Sequence, residues 1–591
     1  MNLEKRVVQN TFLKFFFPTV ASSLILSVIS MTDLIVAGHF LNEMALSAIS
    51  LALPVVIYSM ILGALFGMGG AIQLSVQMGK GNRDQCNRIF TTAMVSVFVI
   101  TLLSAAVGLI FLDPLLKLLG ASGVLMTEAR GYIGVLVAGI PFMTISSVMV
   151  TYLRNDNEQR YAMVCVTIAG ILNLALSIFF VTAADLGTMG ISLGSVMAEM
   201  ICCVLASFRL FSKRRMIRII KMKPDIHIFL SILHPGMPLA VIFASQIIMT
   251  IVINRRLGQL GGGEGIAIYG VIKYLINFMF AFFDGITGSI QPMLGIYYGE
   301  KERENVKTTA DCGVAAMAAV AVAMFLLMMF GGRIICGIFD LTGETMVRES
   351  LFALHVLAFY CPVIAFITFL NGFYRCTGKS NLAFIISIMD NFFFPIPTVL
   401  YFSSVFGVRG IWFGILGGGI CSCILILGIC FFSKKGILMT DQELVRPDGE
   451  FSMVYPAQRE KLPEILEQVE DFCDRSGIGP KQYYYINLII EELVVNVITM
   501  ARNSGHLDYV DVRIKPEESD RVTVRIRDNL TWFDPTESSV GNLGAIMEGY
   551  LADEEICYDG INDLGLGIIK KIATEYNYRR TIGYNNFLVT I

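Results

Sequence analysis

The sequence predicts a mainly α-helical polytopic membrane protein of twelve transmembrane helices in two six-helix repeats, followed by a cytoplasmic α+β sandwich. The chain of 591 residues is 55% hydrophobic and only 16% charged, whereas soluble domains carry roughly 25% charged residues. Residues 1–435 hold 30 Lys and Arg against 21 Asp and Glu, but residues 436–591 hold 15 against 27. The two parts of the chain are therefore suited to different solvents, lipid for the first and water for the second.

Twelve apolar runs are long enough to cross a bilayer, whose hydrocarbon core of ~30 Å needs ~20 apolar residues per helix. None alternates apolar and polar residues over its length, so each predicts a helix and not a strand of a barrel. The second and eighth runs are longer than a bilayer requires, which predicts tilt or extension beyond the lipid. The runs are residues 12–38, 46–78, 89–112, 131–153, 161–182, 189–208, 229–254, 266–298, 308–332, 351–374, 381–403 and 410–433.

The Lys and Arg residues between the runs predict the orientation, because cytoplasmic segments carry an excess of them. With the N-terminus placed in the cytoplasm, the segments on that side hold 22 Lys and Arg and the opposite loops hold 7. We therefore expect both termini, and with them the acidic C-terminal domain, to lie in the cytoplasm.

An internal repeat divides the membrane region into lobes of residues 1–222 and 223–435. Each lobe holds six runs, and an even number returns the chain to the same side, so both lobes should have the same orientation around a central cavity. This arrangement suits alternating access and favours a transporter over a channel or an enzyme. The matched pairs, with their offsets, are Pro18 and Pro235 (217), Gly79 and Gly299 (220), and Arg154 and Arg375 (221).

One segment of the membrane region matches the end of a phosphate-binding loop. Gly378, Lys379 and Ser380 have the order of its last three positions. However, Phe373 occupies the position of the required first glycine, and no strand precedes the segment. The sequence therefore excludes an ATP-driven pump of the P-loop kind.

Four stretches of the membrane region carry a family resemblance. They are PTVASSLILSVISMTDLIVAGHF, MGKGNRDQ, LRNDNEQRYAMVCVTIAGILN and QPMLGIYYGEKERENVK. In combination with the six-plus-six repeat they resemble the multidrug and toxic compound extrusion (MATE) family over about residues 10–435. The resemblance implies a plasma-membrane antiporter, which exports bulky organic compounds as protons or sodium ions enter.

Asp33 is a carboxylate inside the first run. A charge there costs ~2.5 kcal/mol or more, so such residues usually face a cavity and have a function. We predict a proton or sodium site at Asp33, and the alternative is a carboxylate hydrogen-bonded for packing. The resemblance implies that Tyr132, Asn173 and Ser195 surround it. Ser177 departs from the family, which often has Asp four residues after the Asn.

Other polar features lie inside the runs. Glu199, Asp284 and Asp390 are further intramembrane acids, and the two in the second lobe are candidates for lining the cavity on that side. The alternative for each is a polar residue at a helix end. Pro18 lacks a backbone N–H and predicts a kink in the first helix.

The tail begins after a polar linker, residues 436–450. FSMVYP predicts a strand, and residues 457–475 and 480–502 predict helices. YVDVRIKP and DRVTVRIRD alternate apolar and polar residues and predict a pair of antiparallel strands. Residues 563–575 predict a helix, which two closing strands follow. Antiparallel strands with helices on one face make an α+β sandwich over residues 451–591.

Three motifs of the tail suit phosphate chemistry. Glu492 and Asn496 are four residues apart and share one helix face. Asp528 ends a strand and opens a turn. Gly565 and Gly567 precede a helix, where free N–H groups and the helix dipole favour phosphate.

The order of these motifs, with the runs RDNLTWFDP and GYNNFLVTI, resembles the histidine-kinase-like ATPase fold in its anti-sigma-factor serine kinase branch. The resemblance implies that the tail binds ATP and Mg²⁺. It makes Glu492 the general base, Asn496 the Mg²⁺ ligand and Asp528 the acceptor for the adenine amino group. Gly565 and Gly567 would let a lid helix approach the phosphates.

Leu530 departs from this resemblance, because the family has glycine there. A side chain at this position would crowd adenine, so a degenerate sensory or docking domain is the alternative. No phosphoacceptor histidine module precedes the domain, so a transferred phosphate would go to a Ser or Thr of a separate soluble protein partner.

Three functions remain open at the level of sequence. The first is a proton- or sodium-coupled antiporter for organic compounds with a cytoplasmic regulatory domain that binds ATP. The second is a membrane-bound serine/threonine kinase whose transporter-like half senses a small molecule. The third, ranked last, is a transporter driven by ATP hydrolysis in the tail. The expected partners are the lipid bilayer, small organic substrates and a soluble regulatory protein, with no nucleic acid.

Overall fold

The computed structural model divides the chain into two compact units, Met1–Thr11 with Val445–Ile591 and Phe12–Leu444. The predicted linker 436–450 lies outside the described residues, except for its last two positions. The structure describes residues 3–41, 43–119, 121, 123–210, 218–223, 225–260, 263–338, 344–433, 449–501, 508–517, 521–530 and 567–591.

The membrane unit is helical in both halves. The helices of the first half are α1 (Leu3–Phe40), α2 (Glu43–Leu62), α3 (Gly69–Gly79), α4 (Arg83–Ile110), α5 (Leu112–Leu119), α6 (Val124–Asn155), α7 (Gln159–Thr182) and α8 (Gly187–Leu210). Those of the second half are α9 (Ile226–Gln259), α10 (Gly263–Gly299), α11 (Arg303–Phe330), α12 (Gly332–Ile338), α13 (Glu344–Cys376), α14 (Ser380–Ile388), α15 (Pro395–Phe406) and α16 (Val408–Ser433).

Eleven helical segments among the described residues are long and apolar enough to cross a membrane. They correspond to the predicted runs apart from the eighth, and α10 occupies the place of that eighth run with 37 residues. Two spans contain π-helical segments, Gly63–Met68 between α2 and α3 and Met389–Phe393 between α14 and α15. Such segments interrupt the regular hydrogen-bond ladder and are frequent at functional sites.

The helix α1 continues through Pro18 without ending. The carbonyl of Pro18 accepts a hydrogen bond of 2.7 Å from the Ser22 hydroxyl, one turn later. Because proline has no backbone N–H, one backbone hydrogen bond is missing inside a helix that extends from Leu3 to Phe40.

The two halves touch where two repeat-related glycines meet. The ends of α3 and α10 approach so closely that a Cβ on Gly79 would overlap the Ile296 carbonyl oxygen and lie 2.9 Å from the Gly299 Cα. In turn, a Cβ on Gly299 would overlap the Val76 carbonyl oxygen and lie 3.1 Å from the Gly79 Cα. Glycine is required at both positions because backbone packs directly on backbone.

The C-terminal unit is built on a five-stranded antiparallel sheet, in the order β1-β2-β3-β5-β4. Apolar residues at alternate positions of β2 and β3 belong to one hydrophobic core, so one face of the sheet supplies that core. The polar residues between them do not all face water, because Asp511, Arg525 and Arg527 are buried as well. The strands are β1 (Phe451–Pro456), β2 (Tyr509–Glu517), β3 (Arg521–Asp528), β4 (Glu575–Thr581) and β5 (Tyr584–Thr590).

Two long helices, α17 (Leu462–Arg475) and α18 (Pro480–Ala501), pack on this sheet. The prediction of a helix from residue 457 is wrong, because the Ala457 N–H still bonds the Asp508 carbonyl beside the sheet, at 2.9 Å. The predicted helix 563–575 is described only from Gly567. It is helical to Ile572, and β4 begins at Glu575.

Candidate functional site

Four side chains in the first half form one hydrogen-bonded cluster around Asp33, which lies on α1. The Tyr132 hydroxyl on α6 donates to Asp33 Oδ2 at 2.5 Å, and the Ser195 hydroxyl on α8 donates to Asp33 Oδ1 at 2.9 Å. On α7, the Asn173 Nδ2 donates to Ser195 Oγ at 2.8 Å. These are the four residues that the sequence analysis grouped, and the structure brings them together from four helices.

The cluster has acceptor atoms for a small cation. Asp33 is half-buried, and both of its oxygens accept a bond from a hydroxyl group. Asn173 Oδ1 is buried and has no hydrogen-bond partner among the described residues. A carboxylate beside an unsatisfied amide oxygen can take up a proton or coordinate a hard cation through oxygen.

Ser177 replaces the family's second carboxylate, and the packing of α7 on α8 accounts for a small residue there. Ser177 is fully buried, and its hydroxyl bonds the Ile191 carbonyl at 3.3 Å. Gly194 on α8 is so close that a Cβ on it would lie 2.6 Å from Ser177 Oγ. A longer side chain at position 177 would meet the backbone of α8.

A second carboxylate of the first half, Glu199, lies on α8 one turn after Ser195. It accepts a short hydrogen bond from the Ser146 hydroxyl of α6. The sequence analysis named Glu199 as an intramembrane acid but did not place it in the site. The spacing of four residues from Ser195 was the signal that connects the two.

In the second half, Asp284 and Asp390 line one cavity. Asp284 lies on α10 and is exposed to this space, whereas Asp390 lies in the π-helical segment Met389–Phe393 and is 6% exposed. The same cavity is lined by Arg375 at the end of α13. The structure therefore places the two acids of the second lobe in one cavity. It also places there the positively charged Arg375, which the sequence analysis did not assign to a site.

The candidate metal ligand of the tail, Asn496, lies on α18. Asn496 is 3% exposed, and neither its Oδ1 nor its Nδ2 has a hydrogen-bond partner among the described residues. One turn earlier, burial raises the pKa of the Glu492 carboxyl, and the adjacent Glu491 raises it further. A carboxylate with a raised pKa is a better proton acceptor near neutral pH.

Asp528 ends β3 and is held from two sides. Asn585, its register partner on β5, donates from Nδ2 to Asp528 Oδ1 at 2.8 Å, and the Leu530 N–H donates to the same oxygen at 2.9 Å. Burial raises the pKa of the Asp528 carboxyl to about 6, although these hydrogen bonds act against the rise. These two hydrogen bonds orient the carboxylate that the resemblance makes the acceptor for the adenine amino group.

Leu530 is 4% exposed and belongs to the hydrophobic core of the sheet and its helices. A substitution to glycine would therefore remove core packing as well as any crowding of adenine. Gly565 lies outside the described residues. Gly567 is buried at the first described position of its helix.

The implied Mg²⁺ and ATP fit part of this arrangement. The buried Asn496 amide has no other partner to satisfy it, which is what a ligand for a phosphate-bound metal requires. Among the described residues no three His, Cys, Asp or Glu side chains cluster as a metal cage would.

The two six-helix halves, with a hydrogen-bonded carboxylate inside the first, define a membrane transporter of the two-repeat class. Residues 18–179 and 238–400 match the family model MatE, and the two matches begin 220 residues apart. They cover more than half of the chain, which therefore belongs to the MatE family. Residues 455–590 match the model "Histidine kinase-like ATPase domain", so the chain joins the two domain types. Both resemblances are confirmed, and the anti-sigma branch stays a prediction.

Known proteins extend the match over the whole membrane region. Multidrug export protein MepA of Staphylococcus aureus (strain MRSA252) is 21% identical over 445 residues, which are 75% of this chain and 98% of that protein. The MepA of Staphylococcus haemolyticus is 22% identical over 442 residues, or 74% and 96%.

Solved structures agree on the fold. The outward-facing conformation of a multidrug resistance MATE family transporter superposes with a TM-score of 0.68 at 19% identity, covering 72% of this chain and 96% of that one. A crystal structure of MATE in the bent conformation gives 0.67 at 18% identity, covering 75% and 100%.

Proposed function

We propose that this protein is a proton- or sodium-coupled antiporter that exports organic compounds, with both termini in the cytoplasm. The observation that carries the proposal is the Asp33 cluster inside a MatE-family membrane domain, in which two hydroxyl groups bond the carboxylate and Asn173 bonds one of them. The printed names of the similar proteins, multidrug export proteins, support the substrate class. The excess of Lys and Arg on one side supports the orientation.

In this mechanism Asp33 exchanges its ion as the two halves alternate in access. The carboxylate binds a proton or sodium ion when the cavity faces outside, and the bound ion neutralises the charge that Tyr132 and Ser195 otherwise stabilise. Substrate and ion then compete for binding to the same lobe, so the entry of the ion is coupled to the exit of the substrate.

An imposed ion gradient tests the proposal. The purified full-length protein in liposomes should move a fluorescent organic cation against its gradient when a proton or a sodium gradient is applied, and it should stop when that gradient is collapsed by an ionophore. Transport that needs neither gradient, or that starts only with ATP, would contradict the antiporter.

The C-terminal domain is proposed to bind Mg-ATP and to regulate the membrane domain, and a phosphate transfer by it would go to a Ser or Thr of a soluble partner. The orphaned amide of Asn496 and the raised pKa of Glu492 support this role. They also favour the kinase alternative over a domain that has lost its site.

Asn496→Ala should weaken Mg-dependent binding of a fluorescent ATP analogue to the full-length protein. The loss of a buried ligand costs ~1–3 kcal/mol, or roughly ten- to hundredfold in affinity. Thr499→Ala is the matched control, because Thr499 lies on the same helix and its hydroxyl bonds the Val495 carbonyl of that helix at 2.8 Å. Glu492→Gln should keep binding but stop phosphate transfer. Equal affinities of parent and Asn496→Ala would identify the tail as a docking domain without a metal site.

A further inference from the structure

The first eleven residues of the chain pack with the C-terminal domain. Met1–Thr11 and Val445–Ile591 make up one compact unit, although α1 itself continues well beyond Thr11 without a break. In the first turns of α1, Val8 is 1% exposed and Thr11 is 4% exposed, whereas Arg6 is exposed. The two buried side chains are three residues apart and therefore share one face of the helix, and that face is covered.

Tyr584, at the start of β5, makes a polar contact with the first turns of α1. Its hydroxyl hydrogen-bonds the Thr11 hydroxyl and also donates to the Val7 carbonyl oxygen at 3.4 Å. The Thr11 hydroxyl donates to the same carbonyl at 3.0 Å. These two hydroxyl groups and the Val7 carbonyl are here called the α1 clamp. The clamp joins residues that are 573 positions apart in the chain.

The tail fixes the position of the Tyr584 ring. The ring meets that of Tyr509 on β2 edge to face, with centroids 5.9 Å apart, and the Arg527 guanidinium lies 5.8 Å from its centre. The hairpin turn before Tyr584 contains Ile582, which has a φ of 47° and is only 2% exposed. A branched side chain rarely adopts this left-handed conformation, and such strain persists only where the surrounding packing enforces it.

Tyr584 is also the neighbour in sequence of a residue at the candidate nucleotide site. Successive residues of a strand face opposite sides of the sheet. Tyr584 therefore contacts α1 on one side, whereas Asn585 donates to Asp528 Oδ1 on the other, at 2.8 Å. A ligand that engages the Asp528 carboxylate acts on Asn585, and through one peptide bond it acts on the side chain that holds α1.

We propose that the C-terminal domain regulates transport through the α1 clamp. The clamp restrains the start of the helix that carries Asp33, and nucleotide bound at Asp528 strengthens this restraint. A ligand that orders Asn585 also orders Tyr584, so the contact with α1 then costs less entropy. A helix that is held at its start moves less freely, so the clamp slows the alternation of the two halves. The proposal deepens the proposed regulatory role of the tail and rests on it.

Removal of either hydroxyl group should release the start of α1. Tyr584→Phe keeps the aromatic ring, and Thr11→Val keeps the branched shape of threonine. In the purified full-length protein in nanodiscs, the backbone amides of residues 7–13 should exchange with deuterium about fivefold faster in each variant, because local opening no longer breaks the clamp. The double variant should exchange no faster than either single variant, since both substitutions remove the same hydrogen bond.

Two matched controls should exchange at the parent rate in the same segment. Tyr576→Phe removes the hydroxyl of a tyrosine on β4 that is 40% exposed. Thr182→Val removes a hydroxyl that bonds the carbonyl four residues earlier, Ile178, at 2.7 Å, as Thr11 does with Val7.

The effect on transport is measured as exchange of labelled for unlabelled substrate at equal concentrations in liposomes. A non-hydrolysable Mg-ATP analogue, present on both sides of the membrane, should slow this exchange about fivefold in the parent. Tyr584→Phe and Thr11→Val should exchange substrate faster than the parent, and the analogue should no longer slow them. Binding of a fluorescent ATP analogue, measured on the same proteins, shows that the nucleotide site is still occupied in the variants.

These measurements separate the clamp from the functions proposed above. Substrate exchange needs no ion gradient, and deuterium exchange needs neither transport nor nucleotide, so a failure of ion coupling or of nucleotide binding leaves the clamp tested. Parent-like deuterium exchange in both Tyr584→Phe and Thr11→Val, or effects that multiply in the double variant, would overturn the clamp. Equal slowing of substrate exchange by the analogue in the parent and in both variants would overturn its role in regulation.

Discussion

Asp33→Asn should reduce ion-driven efflux to the background of empty liposomes while the protein stays folded. Asparagine has nearly the shape of aspartate, and its one amide oxygen can still accept from Tyr132 or Ser195, whose hydroxyls lie 2.5 and 2.9 Å from the two carboxylate oxygens. Its amide NH₂ can donate to the other hydroxyl, which can rotate to accept. It cannot carry a charge that a proton or sodium ion neutralises. Coupling to the ion is therefore lost, whereas packing is kept.

The measurement compares two modes of transport in the same liposomes. Efflux against a gradient needs the coupled ion, whereas exchange of labelled for unlabelled substrate at equal concentrations needs only alternating access. We expect Asp33→Asn to lose the first and keep part of the second. Asp113→Asn is the control, since Asp113 is an exposed acid of the same half that pairs with Arg130. Wild-type efflux in Asp33→Asn would rule this carboxylate out as the coupling site.

Gly79→Ala should slow transport about tenfold or more, although it adds a single methyl group. That methyl would overlap the Ile296 carbonyl oxygen and approach the Gly299 Cα, so the ends of α3 and α10 must separate. Overpacking of this kind typically costs 1–3 kcal/mol, which corresponds to roughly ten- to hundredfold in an equilibrium constant. The conformation in which the two halves touch at these glycines should be less populated. A transport cycle that passes through this conformation should therefore be slower.

Two further variants make this test specific. Gly299→Ala should behave like Gly79→Ala, because the overlap is reciprocal and involves the Val76 carbonyl. Gly428→Ala on α16 should transport at the parent rate, since a Cβ there meets nothing within 4 Å. The rate of gradient-driven efflux is compared with the size-exclusion profile of each protein. Parent-like efflux in both Gly79→Ala and Gly299→Ala would show that the cycle does not require this contact.

The candidate site was visible in the sequence as a set of residue types, but its geometry was not. Asp33 stood out because a carboxylate is rare in an apolar run, and the family resemblance implied its neighbours. The bonds that join it to Tyr132 and Ser195 span 99 and 162 residues of chain. No local pattern encodes such distances, because they arise from how four helices pack.

Other parts of the site needed the tertiary structure altogether. Arg375 was noted only as a repeat marker, and its place in a cavity with Asp390 depends on the arrangement of several helices and on the π-helical segment. In the tail, Leu530 was judged by a motif alone, and the core contacts that make it costly to replace come from the sheet.

The sequence by itself determined the spans, the repeat and the alternating strands of the tail. Each depends on the hydropathy or the residue spacing within one element. Burial in lipid requires a continuous apolar run, and burial of one face of a sheet requires alternating apolar residues. The tertiary structure alone decided that Gly79 meets Gly299 and that the backbone at Gly194 packs directly against Ser177. It also decided that the helix predicted from residue 457 begins at Leu462. These features depend on backbone approaching backbone across distant segments, where a single Cβ or one strand hydrogen bond changes the outcome.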